Sequence, residues 1–287
     1  MKSNTSPWIF TASCPSIIGT VDVVTRYLAG SGHYVDAIHS FDDRASGRFF
    51  IRIEFLPHDG FEEAIFARQF EKRATEFDMD WQLTAPDHKP KVAIMVSKYD
   101  HCLNDLLYRF RTGQLNIEVT VIISNHPDLE PLAKWHGIPY YHLPISAETK
   151  LEQEAKVREL IEEYDTELVV LARYMQVLSP SMCEYLDGRA INIHHSLLPG
   201  FKGARPYHQA WEKGVKMVGA TAHYVNNDLD EGPIISQGIQ TVNHAYYPED
   251  LVAKGQDVER VTLFNAVKCH IEKRVFLNGK RTVIFEG

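Results

Sequence analysis

Basic residues are in the minority. The chain of 287 residues carries 30 Lys and Arg against 38 Asp and Glu, for a formal net charge of −8. That deficit excludes a surface built for nucleic acid or for an anionic membrane, since both require excess positive charge. Cysteine is scarce too: Cys14, Cys102, Cys183 and Cys269 are widely scattered and form no CxxC pair. A disulfide framework and a cysteine zinc site therefore drop out. No apolar run approaches the length of a membrane span, and no basic segment leads into an apolar one at the N-terminus. A cytoplasmic protein is the expectation. No GxGxxG follows a strand, which disfavours a dinucleotide fold, and there is no GxSxG elbow for a serine hydrolase. His194, His195, His208 and His223 cluster in sequence. They lack HExxH or Cys/His spacing, however, so no metal is expected.

What is present suffices for an ordinary globular protein. Hydrophobic residues make up 44% and charged residues 24%, and the length is comfortable for two domains. Residues 1–83 carry their own pattern. Trp8 to Ala12 reads as a strand, and Ile17, Val21, Val24 and Leu28 recur at helical spacing until Gly30-Ser31-Gly32. From His33 the period changes to two, with Val35, Ala37, His39 and Phe41 expected on one face. Phe49, Ile51, Ile53 and Phe55 alternate after a polar turn, so 33–42 and 48–56 form a hairpin. A second amphipathic helix runs through Phe61, Ile65, Phe70, Ala74 and Phe77, and Met79, Trp81 and Leu83 alternate in a last strand. The order is βαββαβ, the ferredoxin-like plan. Phe50 falls on the face opposite Phe49 and Phe55. A sheet with one face under two helices leaves the other in need of cover, which points to a homo-oligomer (dimer or tetramer) through this module.

Residues 84–90, with Pro86 and Pro90, read as a linker. From 91 to 287 the pattern is α/β. Val92–Val96, Val119–Ile123, Leu168–Leu171 and Ala190–Ile193 are continuous apolar strands separated by helix-length segments, which implies a mostly parallel sheet covered on both faces. At the tail, Val275-Phe276-Leu277 and Thr282-Val283-Ile284-Phe285 flank Asn278-Gly279, a type I′ hairpin signal.

Chemistry is expected beyond the carboxyl ends of such strands. The stretch INIHHSLLPG (191–200) sets polar residues at one of these ends. Alternation places Asn192 and His194 on one face, where an amide donor and an imidazole can aim at one point. A second cluster, GATAHYVNNDLDEGPII (219–235), breaks an apolar strand with His223. It then runs into a loop carrying Asp228, Asp230 and Glu231. One of these carboxylates, aimed back at His194, would raise and orient that imidazole.

Asn192-x-His194, followed by Ser196-Leu197-Leu198-Pro199 and by Asp230 in LDEGPII, resembles the folate-dependent formyltransferase family. Val96–Leu103, Ile123–His126, Leu171–Ser179, the doubled His194-His195 and Gly219–Tyr224 resemble its formyltetrahydrofolate deformylase subgroup. The βαββαβ module resembles the ACT domain of that subgroup. The resemblance implies a Rossmann-like formyltransferase fold and hydrolysis of 10-formyltetrahydrofolate to tetrahydrofolate and formate. The formate would feed purine synthesis and balance one-carbon folate pools. It implies Asn192, His194 and Asp230 as catalytic residues, and no cofactor beyond the folate substrate. The pterin would be held by Met175, Gln176, Val177 and Leu178 on one side and by Val225, Asn226, Asn227 and Asp228 on the other. Lys202 stands open between contact with the glutamate tail and plain solvation. An amino-acid effector at the ACT module is implied as well. The first turn here, however, runs Cys14-Pro15-Ser16-Ile17-Ile18-Gly19 where the subgroup has Cys-Pro-Asp-Arg-Pro-Gly. The alternatives are transfer of the formyl group to an amine acceptor and a non-enzymatic folate or amino-acid sensor.

Overall fold

A computed structural model describes residues 6–200 and 206–287, so Lys202 lies outside the described residues. The chain divides into two compact units. One joins the N-terminal residues through His88 with Glu272–Gly287, and the other is Lys89–Ile271.

The first unit contains β1 (Trp8–Pro15), α1 (Thr20–Gly30), β2 (Tyr34–Asp43), β3 (Arg48–Leu56), α2 (Glu63–Glu76) and β4 (Asp80–Thr84). The strands form an antiparallel sheet in the order β2-β3-β1-β4, the ferredoxin-like arrangement that the alternating pattern implies. α1 ends where Gly32 turns at φ +79°, a left-handed position that costs a residue without Cβ little. Phe10, Ile51, Ile53 and Phe55 from the sheet meet Val24, Leu28, Phe66 and Phe70 from the helices in one core. The expected facing of β2 is corrected by a bulge. The register shifts between Val35 and Ala37, so Val35 joins the helix-covered core while Ala37, His39 and Phe41 pair across from Glu54, Arg52 and Phe50 on the other side.

That other side is not open. The C-terminal hairpin, Val275–Asn278 with Arg281–Ile284, was expected within 91–287 but belongs to the first unit. The Phe276 ring lies 5.7 Å from Phe50 and the Phe285 ring 5.9 Å from His39. Arg52 Nε donates to the Glu272 carbonyl at 3.0 Å, and the Asp43 carboxylate accepts from Asn278 Nδ2 and Arg281 Nη2 at 2.6 and 3.0 Å. Phe50 is accordingly 1% exposed. The aromatic area assigned to an oligomer contact is covered by the chain's own tail. The hairpin turn differs as well: Asn278 pairs with Arg281, so the loop is Gly279-Lys280. Positive φ falls on Gly279 alone, as a II′ turn requires and a I′ turn does not. Phe50→Ala should cost the first unit about 3–5 kcal/mol, the usual loss for a buried phenylalanine. Hydrogen exchange of the β1 and β3 amides measures it, and unchanged protection would deny the hairpin its role as cover.

The second unit runs β5 (Lys91–Val96), α3 (His101–Arg111), β6 (Glu118–Ser124), α4 (Glu130–Trp135), β7 (Tyr140–His142), α5 (Lys150–Glu163), β8 (Leu168–Leu171), α6 (Pro180–Tyr185), β9 (Ala190–His194), α7 (Pro206–Glu212), β10 (Met217–Tyr224), β11 (Ile234–Thr241) and α8 (Pro248–Ile271). Its seven strands lie in the order β11-β10-β9-β8-β5-β6-β7. β7, β6, β5, β8 and β9 are parallel, and β10 and β11 add antiparallel. The four apolar runs lie in its buried central strands. The strand order reverses beside β5, which leaves a crevice at the carboxyl ends of β5, β8 and β9. No helix among the described residues is long and apolar enough to cross a membrane.

Candidate active site

β9 delivers its side chains to that crevice because it ends there. Its last residue is His194, and past the strand end His195 turns back, so that both rings line the cleft 5.1 Å apart. The cleft encloses about 340 Å³, within the range of small-molecule sites.

The loop from β10 to β11 closes over His194. β10 pairs with β9 so that His223 lies opposite Asn192 and Thr221 opposite His194. Asn192 Nδ2 sits 3.3 Å from His223 Nε2, and His223 Nδ1 sits 2.8 Å from the Tyr224 carbonyl. A carbonyl only accepts, so Nδ1 carries the proton and Nε2 accepts from the Asn192 amide. The second amide hydrogen of Asn192 remains for a ligand. Asp230 reaches His194 Nδ1 at 3.2 Å through Oδ2, and His223 Nε2 at 3.8 Å through Oδ1. Burial raises the Asp230 pKa, but the hydrogen bond from His194 outweighs it and holds the carboxyl well below the usual range. An ionised Asp230 fixes the proton of His194 on Nδ1. His194 Nε2 is then left buried with no hydrogen-bond partner in the protein. A buried imidazole nitrogen of this kind is suited to exchange a proton with a reacting group.

Asp230 holds this place at φ +57°, a left-handed conformation that Asp tolerates better than most residues. The turn is braced by the Asn226 side chain, which accepts from the Asp228 N–H at 3.2 Å, and by the Tyr224 N–H on the Pro233 carbonyl at 2.9 Å. The expectation that Asn192, His194 and one carboxylate of the loop converge thus has a geometric counterpart, with Asp230 as the carboxylate.

The two segments expected to flank a heterocycle, Met175–Leu178 and Val225–Asp228, both line the cleft. Met175 and Val177 are half exposed and precede α6, which begins at Pro180. They are wall residues, not core of a helix start.

Several residues of the site have no strong sequence signal. Ser97, just past β5, donates to Asn125 Oδ1 at 2.6 Å and accepts from the Met175 N–H at 3.0 Å. It thereby ties the Met175 wall to the ends of β5 and β6. Arg173 lines the cleft and pairs with Glu259 of α8 at 3.4 Å, where His101 and Tyr207 also converge. Among the described residues, His101, Cys102 and Glu259 are the group whose ligand-type atoms lie within 4.8 Å of one another. Arg173 already supplies positive charge to Glu259, and His101 and Tyr207 occupy both of its oxygens. A cation there would meet like charge.

Burial pushes the His195 imidazole down to about 4, with Arg173 and His194 acting in the same direction. The sign follows directly. Between about 4 and 6.5 the unfolded chain binds a proton at this position that the folded chain refuses, so stability is full above 6.5 and is lost as pH falls toward 4. From pH 6.5 to 5 this one group should cost the second unit about 2 kcal/mol, at roughly 1.4 kcal/mol per pH unit. Urea unfolding of wild type and His195→Gln at both pH values checks it. Parallel losses in the two proteins would contradict a neutral, partly buried His195.

Comparisons with known proteins find similar sequences and similar folds. The family model described as formyl transferase matches residues 90–267. A formyltetrahydrofolate deformylase from Corynebacterium sp. (strain P-1) is 52% identical, covering 96% of this chain and 97% of its own length. The crystal structure of a formyltetrahydrofolate deformylase from Pseudomonas putida KT2440 superposes with a TM-score of 0.94 at 65% identity, covering 97% of this chain and all of that one. Glycinamide ribonucleotide transformylase 1 from Symbiobacterium toebii is 32% identical with a TM-score of 0.66. It covers 69% of this chain and 95% of that one.

Proposed function

We infer the mechanism from a plain premise: this chain belongs to the formyl transferase family, in its formyltetrahydrofolate deformylase branch, and hydrolyses 10-formyltetrahydrofolate to tetrahydrofolate and formate. The observation that carries hydrolysis over transfer is the extent of the likeness. It runs through 97% of the chain for a deformylase but 69% for a transformylase.

The substrate's flat pterin lies between Met175–Leu178 and Val225–Asp228, which brings its formyl group to Asn192 and His194. Water adds to the formyl carbon, and the formyl oxygen takes up the electron pair of its π bond. The free N–H of Asn192 donates to that oxyanion. In acyl-transfer sites one such contact contributes about 2.7–4 kcal/mol. Nε2 of His194 receives the proton of the attacking water, and Asp230 stabilises the imidazolium so formed through Nδ1. Collapse breaks the C–N bond, and the folate nitrogen leaves with the proton held by His194. Formate and one further proton complete the balance. His223 acts through Asn192 as a positioning residue, by accepting one amide hydrogen so that the other points at the reaction centre.

Turnover in water enriched in oxygen-18 tests this scheme. One labelled oxygen per formate is expected. Unlabelled formate would mean that water is not the nucleophile.

The compartment we assign is the cytoplasm, in keeping with four free cysteines. We read the first unit as an ACT module. Its Ile17 and Ile18 are exposed in the turn where the subgroup carries an acid, so an amino-acid effector would meet no carboxylate from that turn. A homo-oligomer is also our reading, but through β2. That strand is a sheet edge carrying exposed Tyr34, Ile38 and Phe41, and such an edge calls for a partner. Light scattering should show the full chain as at least a dimer and Ile38→Glu as a smaller species. A monomeric wild type rules this out.

A further inference from the structure

Arg173 follows β8 in the wall of the cleft and is only 8% exposed. Its backbone stands at φ +64°, in the left-handed region that a bulky side chain avoids, and such strain gathers at functional positions. Its guanidinium is held from two sides. Cζ lies 5.0 Å from the centroid of the Tyr99 ring, and Nε lies 3.4 Å from Glu259 Oε2. Glu259 balances the charge without satisfying the donors: it accepts from His101 Nε2 at 2.8 Å and from Tyr207 at 2.7 Å, while its contact with Arg173 is an ion pair and not a hydrogen bond. Nε and Nη1 of Arg173 are buried with no hydrogen-bond acceptor.

A buried guanidinium with unused donors is unfavourable unless something else accepts from it. The cleft also contains a second buried atom without a partner, His194 Nε2. Nε of Arg173 is turned toward Glu259, but Nη1 together with its neighbour Nη2 forms the planar end of the guanidinium, a fork that matches a planar pair of carboxylate oxygens. The reaction generates one such group inside the cleft.

We propose that the Arg173 fork is the carboxylate site of this cleft and that its ligand is the product formate. The proposal rests on the hydrolytic reading above. Formate, once the C–N bond has broken, moves from Asn192 and His194 onto Arg173, which clears the reaction centre for the next water. The rival carboxylate is that of the substrate's glutamate tail, and the two sources predict different losses.

The test uses the full-length enzyme, with sodium formate as a product inhibitor of 10-formyltetrahydrofolate hydrolysis. Arg173→Met should raise the formate inhibition constant about tenfold or more, while tetrahydrofolate affinity by calorimetry stays within about twofold. Arg173→Lys keeps a cation beside Glu259 but loses the fork. It should show a weaker rise in the same direction, and it decides the matter if the Met variant does not fold. An unchanged formate constant in a folded variant overturns the proposal, as does a wild type indifferent to about 100 mM formate. Loss of tetrahydrofolate affinity with formate inhibition intact assigns the fork to the glutamate tail instead. A wild type that releases no formate at all refutes the hydrolytic reading itself, an outcome separate from each of these.

Discussion

Asp230→Asn is expected to lower kcat by about 100-fold or more, the usual scale for a lost acid–base or oxyanion group. Asparagine preserves the shape and a carbonyl oxygen that can still accept from His194 Nδ1. It removes the charge that stabilises the imidazolium. Asp230 lies at the reacting end of the cleft while the pterin walls are elsewhere, so substrate affinity should change far less than turnover. His194→Ala should lose a similar factor, because Nε2 is the atom that exchanges the proton. Steady-state rates on purified, folded variants, with folate binding measured separately, are sufficient. Near-normal turnover in either variant would remove that residue from the mechanism.

Gly232→Ala should be nearly as damaging although Gly232 carries no functional group. A Cβ at this position would collide with the Tyr224 carbonyl oxygen and sit 3.0 Å from His223 Nδ1. Both obstacles are fixed. The Tyr224 carbonyl accepts from His223 Nδ1, and the neighbouring Tyr224 N–H donates to Pro233. The loop must therefore shift, taking Asp230 off His194 and turning His223 away from Asn192. A displacement of about 1 Å in a catalytic group commonly costs on the order of 100-fold. The expected result is a folded protein with kcat lowered on that scale and weakened folate binding through Val225–Asp228. Wild-type activity would show that the loop relaxes without moving Asp230.

Much of this site was legible in the sequence, for identifiable reasons. Strand alternation alone puts Asn192 and His194 on one face, and a polar pair ending an apolar run is a local signal. By spacing alone Asp230 was one acid among three, and it was the LDEGPII motif of the family resemblance that named it. What singles it out is a left-handed turn and the register that sets His223 opposite Asn192, both products of strand pairing. Ser97, Asn125 and Arg173 were not legible as site residues, because they meet only where β5, β6 and β8 end side by side. In the fold, β7 went unread at three residues, Tyr140–His142, and β11 carries Gly238 within a weak alternation. The tail hairpin was read correctly as a hairpin but expected in the wrong unit. Nothing local to Val275–Ile284 says that Phe276 meets Phe50, more than two hundred residues earlier in the chain. The facing of Val35 failed for a single inserted residue, since one bulge reverses every later side chain on the strand.

The central claim is that water, with no second substrate, accepts the formyl group at Asn192, His194 and Asp230. Its most direct test is the yield of formate and tetrahydrofolate from 10-formyltetrahydrofolate, measured with and without glycinamide ribonucleotide or another amine. The account predicts one formate and one tetrahydrofolate per substrate in the absence of any amine, with no formylated amine when one is added. Turnover that begins only when the amine is present would contradict it.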